Sequence, residues 1–106
     1  MKNNLTSSLK SKIIIQKQEL VYDESGGFTE NWTTLKEVFA SVEYQNFSEF
    51  VILGKKTLEK NYKITIRYDE NISILNRILF QNDTMTIKSI NSESNKYTEI
   101  FCSVIL

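Results

Sequence analysis

Residues 62–68 read Tyr-Lys-Ile-Thr-Ile-Arg-Tyr. Apolar and polar side chains alternate through the whole run, a period of two that fits an extended strand with one buried face. A helix would spread the same residues around its circumference. The pattern recurs. Val38, Ala40, Val42 and Tyr44 alternate with Glu37, Phe39, Ser41 and Glu43, and Phe39 alone breaks it, so that strand is expected to be covered on its second face too. Ile13, Ile14 and Ile15 form a β-branched run, Met85 and Ile87 alternate with Thr84, Thr86 and Lys88, and Ile100, Cys102, Val104 and Leu106 alternate with Glu99, Phe101, Ser103 and Ile105. The apolar members, Tyr62 and Tyr68 among them, are expected to face a core.

Turn signals separate these runs. Asp23-Glu24-Ser25-Gly26-Gly27 offers the positive φ of a hairpin turn, and Phe28 to Trp32 continues out of it. Asn82-Asp83 offers a second tight turn, and residues 91–95 a third. One segment departs from the strand pattern: Phe47, Phe50, Val51, Ile52 and Leu53, then Gly54, Lys55 and Lys56. Ser48 is placed to cap a short helix with Glu49 in its first turn, and Gly54 to end it. The expected architecture is all-β: a small antiparallel β-barrel or sandwich of five to six strands with one short helical or irregular insertion. At 106 residues the chain is the size of one domain. It divides into a flexible N-terminal segment, 1–8, and a single domain, 9–106.

Composition removes several chemistries. The chain has no histidine, the commonest general base and zinc ligand. Its single cysteine, Cys102, lies on the apolar face of the last run, so it reads as a buried structural thiol. Glu19, Asp23 and Glu24 cluster beside a turn, as solvated carboxylates do. Gly26-Gly27 is followed by no Gly-Lys-Ser/Thr and is no phosphate loop. No enzymatic activity, cofactor or metal is expected. Thirteen basic residues balance thirteen acidic ones, against the basic excess of a dedicated duplex-DNA binder. In 62–68 the tyrosines and the cations fall on opposite faces, the reverse of a platform for single-stranded nucleic acid. No apolar run approaches the roughly 20 residues of a membrane span, and the first twelve residues lack the apolar stretch of a signal peptide.

The order of these features resembles that of phage head–tail joining proteins, also called head-closure, connector or stopper proteins. Asp23-Glu24-Ser25-Gly26-Gly27 followed by Trp32 is similar to that family's Asp-x-x-Gly-Gly…Trp hairpin. Phe39-Ala40-Ser41-Val42 stands where the family has Trp/Phe-Ala-x-Val. Tyr62 to Tyr68 is similar to its Ile-Thr-Ile-Arg-Tyr strand, and Ile72 to Phe80, with Asn76-Arg77-Ile78, to its Ile-x-x-x-x-Arg segment. The match spans residues 9–106 and departs in the apolar segment 47–53. The resemblance implies a barrel subunit of a ring below the portal and its adaptor, closing the DNA exit channel and docking the tail. Implied partners are further copies of the chain, in a ring within the assembled particle with a monomer in solution also compatible, portal and adaptor proteins, a tail terminator, and genomic DNA that passes without sequence-specific binding. The implied setting is a virion (phage, prophage or gene transfer agent) assembled from protein made in the bacterial cytoplasm. Gly26, Gly27, Trp32, Arg67 and Arg77 carry the family pattern. Trp32 is expected to pack the hairpin onto the barrel, and Arg67 to bridge to an acidic residue of its own or a neighbouring subunit.

Phe47, Phe50, Val51, Ile52 and Leu53, with Lys55 and Lys56, are the candidate partner interface. Such an apolar group either folds over the end of the barrel or is buried against another subunit. Two other functions compatible with a small barrel are binding of single-stranded nucleic acid and a non-viral protein-interaction module.

Overall fold

Ile64 and Ile66, the centre of the most regular alternation, are sealed from solvent, and each of the six strands adds at least one residue to the cluster around them. The computed structural model describes residues 9–92 and 95–106. Its strands are β1 (Ser11–Tyr22), β2 (Phe28–Ile52), β3 (Lys55–Arg67), β4 (Arg77–Phe80), β5 (Asp83–Asn91) and β6 (Tyr97–Ile105). All pairings are antiparallel, and the sheet closes on itself as a barrel in the order β1-β2-β3-β6-β5-β4. The core is Ile13 and Ile15 of β1, Ala40 of β2, Ile64 and Ile66 of β3, Ile78 of β4, Met85 and Ile87 of β5, and Ile100 and Cys102 of β6. Branched aliphatic side chains fill a small barrel because they pack well on a pleated surface.

Closure rests on a short contact. β4 has four residues and meets β1 only through Ile14, Ile15 and Gln16. β2, in contrast, has 25 residues, far longer than the five or six typical of a strand. It outruns the barrel at both ends. Towards its start, Phe28 to Thr33 pair only with β1 from Lys17 to Tyr22. Towards its end, Glu49 to Ile52 pair only with β3 from Lys55 to Leu58. Two ribbons therefore leave the barrel at opposite ends of one strand. They stretch the molecule to 60 Å and its radius of gyration to 15.9 Å, against about 13 Å for a compact chain of this size.

Several expectations are corrected. Residues 47–60 form no helix: β2 continues to Ile52, Leu53 and Gly54 make a two-residue turn, and β3 begins at Lys55. The cap at Ser48 is overridden because β3 offers the β2 backbone a ladder of hydrogen bonds that no solitary turn of helix can match. Tyr68 and Tyr44 are exposed, as is Phe39, which among the described residues has the Lys12 ammonium 5.8 Å from its ring but no apolar layer over its face of β2. The turn expected at Asn82-Asp83 falls one residue earlier, on Gln81 and Asn82, with Gln81 at positive φ. Residues 1–8, read as a flexible segment, lie outside the described residues, as does part of the turn read at 91–95.

Candidate assembly surfaces

The two ribbons begin at defects in pairing. Ile15 pairs with Lys36 and Gln16 with Thr34, which leaves Leu35 as an extra residue in β2. Tyr44 pairs with Tyr62 and Asn46 with Asn61, which leaves Gln45 extra. Such bulges bend and twist a strand, and these two sit where β2 leaves the barrel on either side. A third, between Ile87 and Ser89 opposite Cys102 and Phe101, leaves Lys88 extra. The Lys88 ammonium lies 2.8 Å from the buried Glu59 carboxylate. That contact holds Glu59 below its ordinary range despite the opposing effect of burial. Lys36, next to the first bulge, likewise pairs with Asp69 and lowers it.

The β2–β3 ribbon carries the whole of the predicted interface. Its cross-strand pairs place Phe47, Glu49, Val51, Lys56, Leu58 and Lys60 on one face, and Ser48, Phe50, Ile52, Lys55, Thr57 and Glu59 on the other. The first face continues the core side of β3, on which Tyr62, Ile64 and Ile66 also lie. Among the described residues nothing covers it beyond the end of the barrel: Phe47 is 57% and Val51 68% exposed. Tyr44 packs edge-on to both Tyr62 and Phe47, with ring centroids 5.8 and 5.7 Å apart. Glu49 and Lys56 pair across the ribbon at 2.9 Å. Phe50 is half-buried on the second face. The segment does not fold over the barrel end; it projects from it.

The tip of this ribbon is strained. Leu53 has φ 51° and Gly54 φ 79°, so both central residues of the turn are left-handed, the geometry that favours Asn-Gly. Leucine in this conformation costs about 1–2 kcal/mol, and Leu53 is 97% exposed, so no packing offsets it.

The β1–β2 ribbon carries Gly26, Gly27 and Trp32. Asp23 organises its turn: Oδ1 accepts from the Ser25 amide, the Ser25 hydroxyl and the Gly27 amide at 2.8–3.0 Å. The Ser25 hydroxyl, followed by the Gly27 amide, lowers the carboxylate below its ordinary range. Gly26 sits at φ 88°, where any other residue is strained. At the base of the ribbon the Arg77 guanidinium lies 4.3 Å from the centre of the Trp32 ring while its Nε donates to Gln16 at 2.8 Å. The structure thus brings Trp32 and Arg77 together as a clamp between the ribbon and β4. Arg67 is not part of it. That side chain is exposed and lines an open cleft of about 360 Å³ with Leu9, Lys36, Phe39, Tyr68 and Asp69, and it has no carboxylate partner among the described residues. The bridge expected within its own subunit is absent there.

Sequence reasoning missed the apolar tip of this first ribbon. Leu20, Val21, Tyr22 and Phe28 are all exposed, Tyr22 at 71%, with the Tyr22 and Phe28 rings 6.0 Å apart. The signal was available: an apolar triplet directly before the Asp23 turn and a phenylalanine directly after it.

Reactive groups are muted. Burial pushes the Cys102 thiol up to about 12, so the nucleophilic thiolate is scarce at neutral pH. Among the described residues, no three His, Cys, Asp or Glu side chains converge on a potential metal position.

The fold is a closed barrel with two projecting apolar ribbons. The chain belongs to the phage head completion protein family, whose profile matches residues 5–105. It is therefore a structural component of a phage-type head. No curated protein matches the sequence. Among solved structures it is similar to a chain of the virion of a native gene transfer agent particle, with TM-score 0.75, 17% identity, and 92% of this chain and 96% of that one covered. It is also similar to protein SF1141 from Shigella flexneri 2a, with TM-score 0.71, 20% identity, and 92% and 93% covered. At these identities both likenesses concern the fold.

Proposed function

We propose that the chain is a subunit of the head–tail connector ring, closing the DNA exit channel below the portal and adaptor and docking the tail. The observation that carries this reading is Leu53: a strained, almost fully exposed leucine at the tip of an apolar ribbon, in a head completion protein. Strain of this kind persists where function uses it, and an apolar tip gains from burial against a partner. Phe47, Val51, Ile52 and Leu53 are the contact residues, Phe50 supports them from the second face, and Lys55 and Lys56 flank the tip. The neutral net charge suits a conduit through which DNA must pass rather than be retained. In this reading the protein is made in the bacterial cytoplasm and ends at the head–tail interface, beside portal, adaptor and tail terminator.

The test is complementation of particle assembly with Val51→Asp and Leu53→Asp. Both variants are expected to keep the thermal transition of the parent and to yield DNA-filled heads without tails, or heads that leak DNA, in electron micrographs. Normal tailed particles carrying either variant would sink the proposal. Loss of the thermal transition would show instead that the ribbon belongs to the core.

A further inference from the structure

The neutral total conceals a separation of charge between the two ribbons. Residues 17–33, the β1–β2 ribbon, hold Lys17 against Glu19, Asp23, Glu24 and Glu30, a net of −3. Residues 47–60, the β2–β3 ribbon, hold Lys55, Lys56 and Lys60 against Glu49 and Glu59, a net of +1. The imbalance is larger in what is left unpaired. Lys17 already pairs with Glu19, Lys56 with Glu49, and Glu59 with Lys88. Glu24 and Glu30 remain without a cation on the first ribbon, and Lys55 and Lys60 without a carboxylate on the second, among the described residues.

Each ribbon also has one apolar face. In the first, the pairs Gln18–Trp32, Leu20–Glu30 and Tyr22–Phe28 share a face, so Leu20, Tyr22 and Phe28 stand exposed beside the unpaired Glu30. In the second, Phe47, Val51 and Leu58 stand exposed beside Lys60. One is an apolar strip with a free anion, the other an apolar strip with a free cation. They sit at opposite ends of β2, so one chain cannot bring them together.

We infer that the β1–β2 ribbon of one copy lies on the open face of the β2–β3 ribbon of the next, with Leu20, Tyr22 and Phe28 against Phe47, Val51 and Leu58. Glu30 then meets Lys60 between those faces, while Glu24 and Lys55 add opposite charge beside the tips of the two ribbons. The contact uses a different surface on each partner, so a joined pair keeps one ribbon of each kind free for further neighbours, and the chain of contacts closes into a ring when the rotation per copy permits. Opposite charges steer the encounter and set its polarity, since like ribbons repel. This inference rests on the connector reading and names a second copy as the occupant of the β2–β3 surface.

The test uses the full chain with one added cysteine per ribbon, Tyr22→Cys and Val51→Cys; Cys102 stays in place because it is buried. Particles are assembled with the doubly substituted chain and treated with a short bismaleimide. A ladder at multiples of the chain mass is expected. Mixing the two single variants is expected to give a dimer that neither gives alone. Particles that contain the chain but yield only products with another protein, or none, overturn the inference and leave the connector reading standing. Particles that form tails normally without the chain overturn the connector reading itself. A charge exchange on the purified native-cysteine chain guards against cysteine variants that do not incorporate. Lys55→Glu with Lys60→Glu is expected to weaken self-association about tenfold, and adding Glu24→Lys with Glu30→Lys to restore it. No weakening, or no recovery, counts against the contact.

Discussion

The surroundings of β2 change twice along its length. Around Ala40 it is barrel wall, with a fully buried core residue and β1 beside it. Towards either end it is half of a two-stranded ribbon whose large side chains stand in solvent. The contrast separates the source of stability from the source of contact. A closed sheet buries apolar side chains from six strands, whereas an isolated two-stranded ribbon is marginal in water and exposes edges that invite further pairing. Here the ribbons are anchored rather than self-sufficient: Trp32 is clamped by Arg77 at the base of one, and Tyr44 and Tyr62 meet edge-on at the base of the other.

The largest expected effect falls on the barrel. Ile64→Ala should lower stability by about 2–5 kcal/mol in chemical denaturation; a loss as small as that of a surface variant would mean that the closed sheet is not the stabilising unit. Acid should act next, and also through the barrel. Glu59 and Asp69 are held low by Lys88 and Lys36. Their contribution is therefore complete above the ordinary carboxylate range and is lost as pH falls from there through the lowered folded-state values. Lys88→Met and Lys36→Met should flatten that acid limb in thermal melts at graded pH; an unchanged limb would remove the two ion pairs from the account.

The ribbons give smaller numbers. Leu53→Asn should raise stability by about 1 kcal/mol, because asparagine tolerates the left-handed turn, yet should impair assembly. A variant that is both more stable and fully competent would detach the strain from function. Arg77→Ala should cost about 0.5–1 kcal/mol by exposing Trp32, measurable as a red shift in tryptophan emission. Val51→Asp should change stability by less than about 0.5 kcal/mol, the smallest effect on folding and among the largest on particle yield.

Much of the barrel was legible because alternation is a local property. Ala40, Ile64, Ile66, Met85, Ile87, Ile100 and Cys102 all fall on the buried faces that the alternating runs define, and Ile13 and Ile15 come from the β-branched run of β1. β4 was not legible as a strand: four residues, Arg77 to Phe80, are too short to show a period, and their strand character comes from β1 and β5 on either side. The interface segment was legible as unusual but not as extended. Phe50, Val51, Ile52 and Leu53 are a continuous apolar run, which fits a strand and a helical turn equally well. Trp32 and Arg77 were legible one at a time, through the family pattern, and their contact was not, since 44 intervening positions carry no record of it.

By itself the sequence determined the all-β class, the apolar content of the core, the position of the Asp23-to-Gly27 turn and the absence of histidine chemistry. These follow from residue identity and near-neighbour spacing. Only the tertiary structure decided that the sheet closes, where β2 leaves it, and that one ribbon is acidic while the other is basic. Closure depends on β1 meeting β4 across the length of the chain, and the ribbons exist because β2 is longer than the barrel it lines. Both are properties of register between distant strands, which is set by the fit of opposing faces and not by any one run of residues.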